Sequence, residues 1–177
     1  YLSLYKYNDT HKKAFDKTKS IKGIEDVLGN NLVFDFDFDK NLGQTLEDSR
    51  RDTVEAIKRL EKVGITDDQI ELCFSGNKGF SIMVSLTECI NPKLHKNIAK
   101  KLCGDLATWD TKVYNASRVF RIPYTKHQTS GLYKIPLTVE ELSGDIEVIR
   151  EWAGEEPEVE ERDFPKFKLT PSMKTLP

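Results

Sequence analysis

The chain has 177 residues, 38% of them hydrophobic and 32% charged, a composition that fits one soluble globular domain with a sizeable core. No apolar run approaches about 18 residues and the lysine-rich start is unlike a signal peptide, so neither a membrane-spanning helix nor a secreted product is expected; we expect a cytoplasmic protein. The net charge of −2 hides an asymmetry: Glu140 to Asp163 carries 11 acids against Arg150 and Arg162, which leaves a moderately basic body compatible with a polyanionic partner.

Residues His11 to Leu28 carry scattered lysines with Phe15, Ile21, Ile24 and Val27, and read as one or two helices closed by a Gly29-Asn30-Asn31 turn. Leu32 to Lys40, LVFDFDFDK, then alternates as a strand, with Leu32, Phe34, Phe36 and Phe38 on one face and Asp35, Asp37 and Asp39 on the other. Thr45 to Val63 sets Val54, Ile57 and Leu60 among charges at threefold spacing and stops before Gly64, as a surface helix does. Ile70 to Phe74 and Phe80 to Leu86 read as the strands of a hairpin whose turn is Ser75-Gly76-Asn77-Lys78-Gly79.

Asn91-Pro92 opens a helix to about Leu106, whose Lys93, His95, Lys96, Lys100 and Lys101 suit either solvent or a nucleic-acid backbone. Val113 to Ile122 reads as a strand, Pro123 to Gly131 as a loop, and Leu132 to Leu137 as a short strand with Pro136 near its edge. Thr138 to Trp152 reads as helical, with Thr138 and Glu141 at capping-box spacing, and from Gly154 onward Glu and Pro predict an extended tail. The expected division is a body over 1–153 and an acidic, proline-containing tail over 154–177. Cys73, Cys89 and Cys103 are widely spaced with no histidine at ligand distance, so free or buried thiols are expected and no zinc.

The aspartates carry the chemistry. Two carboxylates at i and i+2 on one strand face stand with Cα atoms about 6.6 to 7 Å apart, and their repulsion becomes a ligand field once a hard cation such as Mg²⁺ or Mn²⁺ is present. A two-metal centre of this kind serves phosphoryl transfer, usually with a third acid from a neighbouring strand. An amphipathic strand with its acidic face in solvent has the same pattern. So do phosphatases of the haloacid dehalogenase type, which want a small residue where Phe38 stands, and glycosyltransferases. The turn of Ser75, Gly76, Lys78 and Gly79 offers N–H groups and a cation to an anion, although alone it is an ordinary hairpin turn. Arg118 and Arg121, taken alone, are surface cations; the guanidinium fork suits phosphate.

Taken in order, LVFDFD, FSGNKGFSIMV and WDTKVYNASRVFRIPYTKHQTSG resemble the motifs of the archaeo-eukaryotic primase superfamily. That group includes primase small subunits, primase-polymerases and the polymerase domain of bacterial end-joining ligases. The resemblance spans roughly Leu32 to Leu137. It implies an α+β fold with a largely antiparallel sheet of the RNA-recognition-motif kind, flanked by helices, and an N-terminal helical or mixed module. It implies Asp35, Asp37 and Asp110 as catalytic acids and metal ligands, with Asp39 outside the pair. It assigns nucleotide contacts to Ser75, Gly76, Lys78, Gly79, Ser81, Arg118, Arg121 and His127. Ser81 stands where the family has a phosphate-touching histidine, and a hydroxyl cannot carry an imidazolium's charge.

The implied activity is template-directed nucleotidyl transfer, a DNA primase or primase-polymerase that uses two Mg²⁺ or Mn²⁺ ions to make or extend primers. Its partners would be nucleoside triphosphates, a DNA template and primer, and a helicase. The chain begins at Tyr1 rather than Met, and we expect it to be the front segment of a longer replication protein. Two alternatives remain: a degenerate primase-like module that binds nucleotide or single-stranded DNA without chemistry, and a metal-dependent phosphohydrolase.

Overall fold

The computed structural model describes residues 1–20 and 26–175. Ile21 and Ile24, expected on an N-terminal helix, lie outside the described residues. The elements in chain order are β1 (Leu2–Ser3), α1 (Asp9–Thr18), β2 (Gly29–Asp37), α2 (Leu46–Lys62), β3 (Ile70–Phe74), β4 (Gly79–Ile90), α3 (Pro92–Cys103), β5 (Val119–Phe120), β6 (Ile135–Leu137), α4 (Val139–Leu142), α5 (Ile146–Trp152) and α6 (Pro171–Lys174).

Period-two alternation gives the central sheet its two faces. Four strands run in the order β2-β4-β3-β6, each antiparallel to its neighbours. The register sets Phe34 opposite Ile82 and Ile82 opposite Leu72; two residues along, Phe36, Phe80 and Phe74 form the next row. All six are buried. Helix α2 begins at a capping box in which Thr45 and Asp48 exchange bonds, so two orphan N–H donors are satisfied. It turns Ala56, Ile57 and Leu60 inward, and with α3 it packs on the sheet. Helix α3 starts with Pro92 after the Asn91 cap and buries His95, Ile98, Ala99 and Cys103.

Four expectations change. Gly29, Asn30 and Asn31 are not a turn: they open β2, where Gly29 pairs with Ile90 across a register irregularity. A Cβ at Gly29 would strike the Leu4 carbonyl, so this glycine permits a close chain approach instead. Val113–Ile122 is not one strand. Thr111–Val113 is a 3₁₀ turn, Val113 and Tyr114 are buried, and only Val119–Phe120 pair, with Leu2–Ser3. Thr138–Trp152 divides into α4 and α5 around Ser143-Gly144-Asp145, because Asp145 caps a second helix start.

The fourth concerns the acidic tail, which is extended but not detached. Phe167 exchanges backbone bonds with Ser85 and Thr87 of β4, and Phe167, Leu169 and Met173 are buried. These three residues belong to the core although the segment's composition is that of a linker. Among the described residues no helix is long and apolar enough to cross a membrane.

Candidate functional site

Opposite the phenylalanine core, the same register makes a polar row. Asp35 faces Ser81 on β4, Ser81 faces Cys73 on β3, and one step further Asp37 faces Gly79. This face floors a cleft of about 210 Å³. Asp35, Asp37, Ser75, Lys78, Ser81, Arg118, Arg121 and His127 line it, joined by Asn77, Phe120 and Lys134, which the motifs did not suggest. Gly76 and Gly79 lie behind it. Gly76 has φ 74°, and a Cβ there would stand 2.7 Å from the Tyr133 carbonyl, so the turn packs against the chain beyond Gly131.

Asp110 arrives by main-chain pairing at the open edge of β2. The Asp37 N–H donates to the Thr108 carbonyl at 2.8 Å and the Asp110 N–H to the Asp35 carbonyl at 2.8 Å. Thr108 is itself held, its N–H and hydroxyl both donating to Asp52 Oδ2 at 2.8 Å. Further along the edge the Val33 N–H donates to His95 Nε2 at 2.8 Å, and the Tyr114 hydroxyl donates to the Val33 carbonyl at 3.0 Å. Side chains thus cover the edge groups that β2 would leave unpaired. His95 is therefore a buried structural residue and not part of a basic helix face; burial pushes it down to about 4, so it stays neutral. Asp39 lies away from the cleft and caps the 3₁₀ turn Lys40–Leu42.

The acids work against one another. Burial, then the charges of Asp37 and Asp110, raise Asp35 to about 7 against the attraction of Lys134 and Arg118. Burial and Asp110 raise Asp37 as well, opposed by Lys78 and Arg118. Asp110 Oδ1 accepts the Lys112 N–H at 2.8 Å, and its Oδ2 stands 4.0 Å from the Arg118 guanidinium. An all-carboxylate donor set that repels itself fits a hard divalent cation. Among the described residues no group of three or more His, Cys, Asp or Glu side chains is placed to hold a metal ion as it stands. Asp35 and Asp37 line the cleft floor, and Asp110 stands beside them at the edge of β2.

The cations on the other wall are unequally engaged. Arg121 donates to the Thr125 carbonyl at 2.8 Å and to the Ser75 carbonyl, so its fork braces the turn. His127 Nδ1 accepts the N–H groups of Thr129 and Ser130 at 3.2 Å each, and its Nε2 stands 3.4 Å from the side-chain amide nitrogen of Asn77. Burial and Arg121 lower its pKa. Within the turn, the N–H groups of Asn77 and Gly79 donate to Ser75 Oγ at 3.4 and 3.1 Å, so those two do not serve an anion. Phe80 and Tyr114 are core residues, and Phe120, also buried, borders the cleft. Cys73 and Cys103 are buried, Cys89 is exposed, and all three are free thiols.

No family model and no curated protein matches the sequence. Among solved structures five chains match. One is the polymerase domain from Mycobacterium tuberculosis Ligase D in complex with DNA, with a TM-score of 0.54 and 18% identity over 68% of this chain and 49% of that one. The chain thus spans about half the length of that neighbour. The likeness shows the fold alone: an α+β arrangement, with an antiparallel sheet flanked by helices, shared with that polymerase domain.

Proposed function

We propose that the cleft performs template-directed nucleotidyl transfer. The observation that carries this reading is the union, on one sheet face, of the Asp35–Asp37 platform with the Ser75–Gly79 turn and the cations Lys78 and Arg118. In the reaction the 3′-oxygen of a primer bonds to the α-phosphorus of a nucleoside triphosphate, its proton is lost, and the bond to the bridging oxygen breaks to release pyrophosphate. Asp35 and Asp37, with Asp110, would hold Mg²⁺ or Mn²⁺, which when bound supplies Lewis-acid activation of the hydroxyl and charge neutralisation at the phosphates. Lys78 and Arg118 offer cations to the triphosphate, Ser81 a neutral hydroxyl, and Arg121 holds the turn in place. The nucleic-acid partner in this reading is a DNA template with its primer, unwound by a helicase.

The open spacing of the acids and the absence of a charged side chain at Ser81 favour a second reading, a module that binds nucleotide or single-stranded DNA without chemistry. Primer extension with Mn²⁺ or Mg²⁺ separates the two. Incorporation by the native chain and its loss in an Asp35→Ala, Asp37→Ala double variant support transfer. Tight nucleotide binding without incorporation supports the second reading, and equal extension by the double variant removes the proposed centre.

A further inference from the structure

Lys134 directly precedes β6 and is only 5% exposed. Among the described residues its ammonium makes no hydrogen bond and no ion pair. Its place is set by main chain: its N–H donates to the Thr125 carbonyl at 3.0 Å, its own carbonyl accepts the Tyr124 N–H at 2.7 Å, and Ile135 beside it pairs with Phe74. Tyr124 holds this crossing in the left-handed region, at φ 65°. From there the Lys134 side chain passes the Phe120 ring, with Nζ 5.7 Å from its centroid, and reaches the cleft.

Among the described residues no buried side-chain nitrogen lacks a partner, so this ammonium opens onto the cleft while backbone pairing holds the rest of the residue in place. Two of the neighbouring basic side chains, Arg121 and His127, are engaged with the backbone, while Lys78 and Arg118 face the cleft together with Lys134. Arg121 is spent on two backbone carbonyls, Arg118 stands beside Asp110, and His127 Nδ1 takes two N–H groups. Lys134 adds to Lys78 and Arg118 a positive charge at the cleft wall with three unspent donors, and an ammonium binds phosphate as a point charge. We propose that Lys134 is a direct ligand for the polyphosphate of the nucleotide, seated between the Ser75–Gly79 turn and the Asp35 carboxylate. This rests on the nucleotide-binding part of the reading above and does not need its chemical step.

The rival role is counter-ion to Asp35, since Lys134 attracts that carboxylate more strongly than Arg118 does. Calorimetric titration of the whole chain with inorganic tripolyphosphate, in chelator so that no metal contributes, distinguishes them. Lys134→Met should weaken tripolyphosphate binding at least about tenfold, Lys134→Arg should keep most of it, and binding of an unphosphorylated nucleoside should not change. The same loss should appear when Lys134→Met is added to Asp35→Asn. If Lys134→Met does not fold, Lys134→Gln takes its place. Affinity within twofold of the native chain overturns the proposal, as does a loss that vanishes in the Asp35→Asn background. Either result leaves nucleotidyl transfer standing. A native chain that does not bind tripolyphosphate in chelator overturns the proposal too, while nucleotidyl transfer is decided separately by primer extension with Mn²⁺ or Mg²⁺.

Discussion

The N–H of Asp110 donates to the carbonyl of Asp35 at 2.8 Å, so main chain and not side-chain attraction holds these two acids together. The same ladder carries Thr108 onto Asp37, and Asp52 pins Thr108 from α2. The carboxylates oppose this arrangement, because burial and mutual charge raise Asp35 to about 7. The edge of β2 therefore imposes a geometry that the metal-free side chains resist, and stability is given up where the chemistry would occur.

Asp35→Asn should accordingly stabilise the metal-free protein. The folded carboxyl keeps its proton up to about 7, whereas an unfolded one releases it near 3.9. Between those values the folded state binds more protons, so this group's contribution to stability falls as pH rises from about 4 through about 7. The advantage of Asp35→Asn should be near zero at pH 4 and reach roughly 1 to 3 kcal/mol by pH 7.5, in urea unfolding with chelator present. An advantage greatest at pH 4 would contradict the electrostatic account. Mn²⁺ should raise the melting temperature of the native chain and not that of an Asp35→Asn, Asp37→Asn variant.

His95 tilts stability the other way. It is held neutral by burial, at about 4, against about 6.5 when unfolded. The unfolded state binds more protons between those values, so stability is lost as pH falls from about 6.5 toward 4. His95→Gln should flatten that acid limb. His95→Ala leaves the Val33 N–H at the sheet edge without its 2.8 Å acceptor and should cost roughly 2 to 4 kcal/mol at neutral pH. Equal acid slopes for the native chain and His95→Gln would show that another group dominates there.

The two arginines of the third motif should separate cleanly. Arg121 donates to the carbonyls of Ser75 and Thr125, so Arg121→Met should cost roughly 2 kcal/mol in stability and disturb the turn. Arg118 is exposed and 4.0 Å from Asp110, so Arg118→Ala should change stability by less than about 1 kcal/mol. If the cleft binds a triphosphate, Arg118→Ala should nonetheless raise the apparent KM for it by about tenfold or more. Thermal melts and steady-state kinetics on the pair test this, and the reverse pattern would exchange the roles.

Local signals made β2, the β3–β4 hairpin and both long helices legible, because alternation, turn residues and caps act over a few positions. The pairing of Asp35 with Asp37 on one face follows from the strand period alone. What was not legible depends on chain crossings. Val113, Tyr114, Val119 and Phe120 are β-prone and read as one strand, but the first two bury from a 3₁₀ turn and the last two pair with Leu2 and Ser3. Lys134 lies within Leu132 to Leu137, read as a short strand, where nothing local marks it for the cleft; its place comes from the return of 120–125 over the sheet. His95 sits among four lysines of α3, and only the i, i+3, i+4 spacing with Ile98 and Ala99 hints that it faces inward.

The C-terminal segment gives the last test. Its composition predicts an extended acidic tail, yet Phe167, Leu169 and Met173 are buried, and Phe167 pairs through backbone with β4 at Ser85 and Thr87. Burying each such side chain contributes roughly 1.5 to 3 kcal/mol, so removing 164–177 takes away about 5 kcal/mol or more, a large share of a domain's usual stability. The truncated chain should melt at least about 10 °C lower or lose cooperative unfolding. Phe167→Asp should reproduce much of that loss without shortening the chain. The exposed pair of Lys174 and Glu88, although 2.6 Å apart, should matter little, with Lys174→Ala costing less than about 1 kcal/mol. A truncated chain as stable as the whole one would return the segment to the status of a linker and place the end of the core at Ala153.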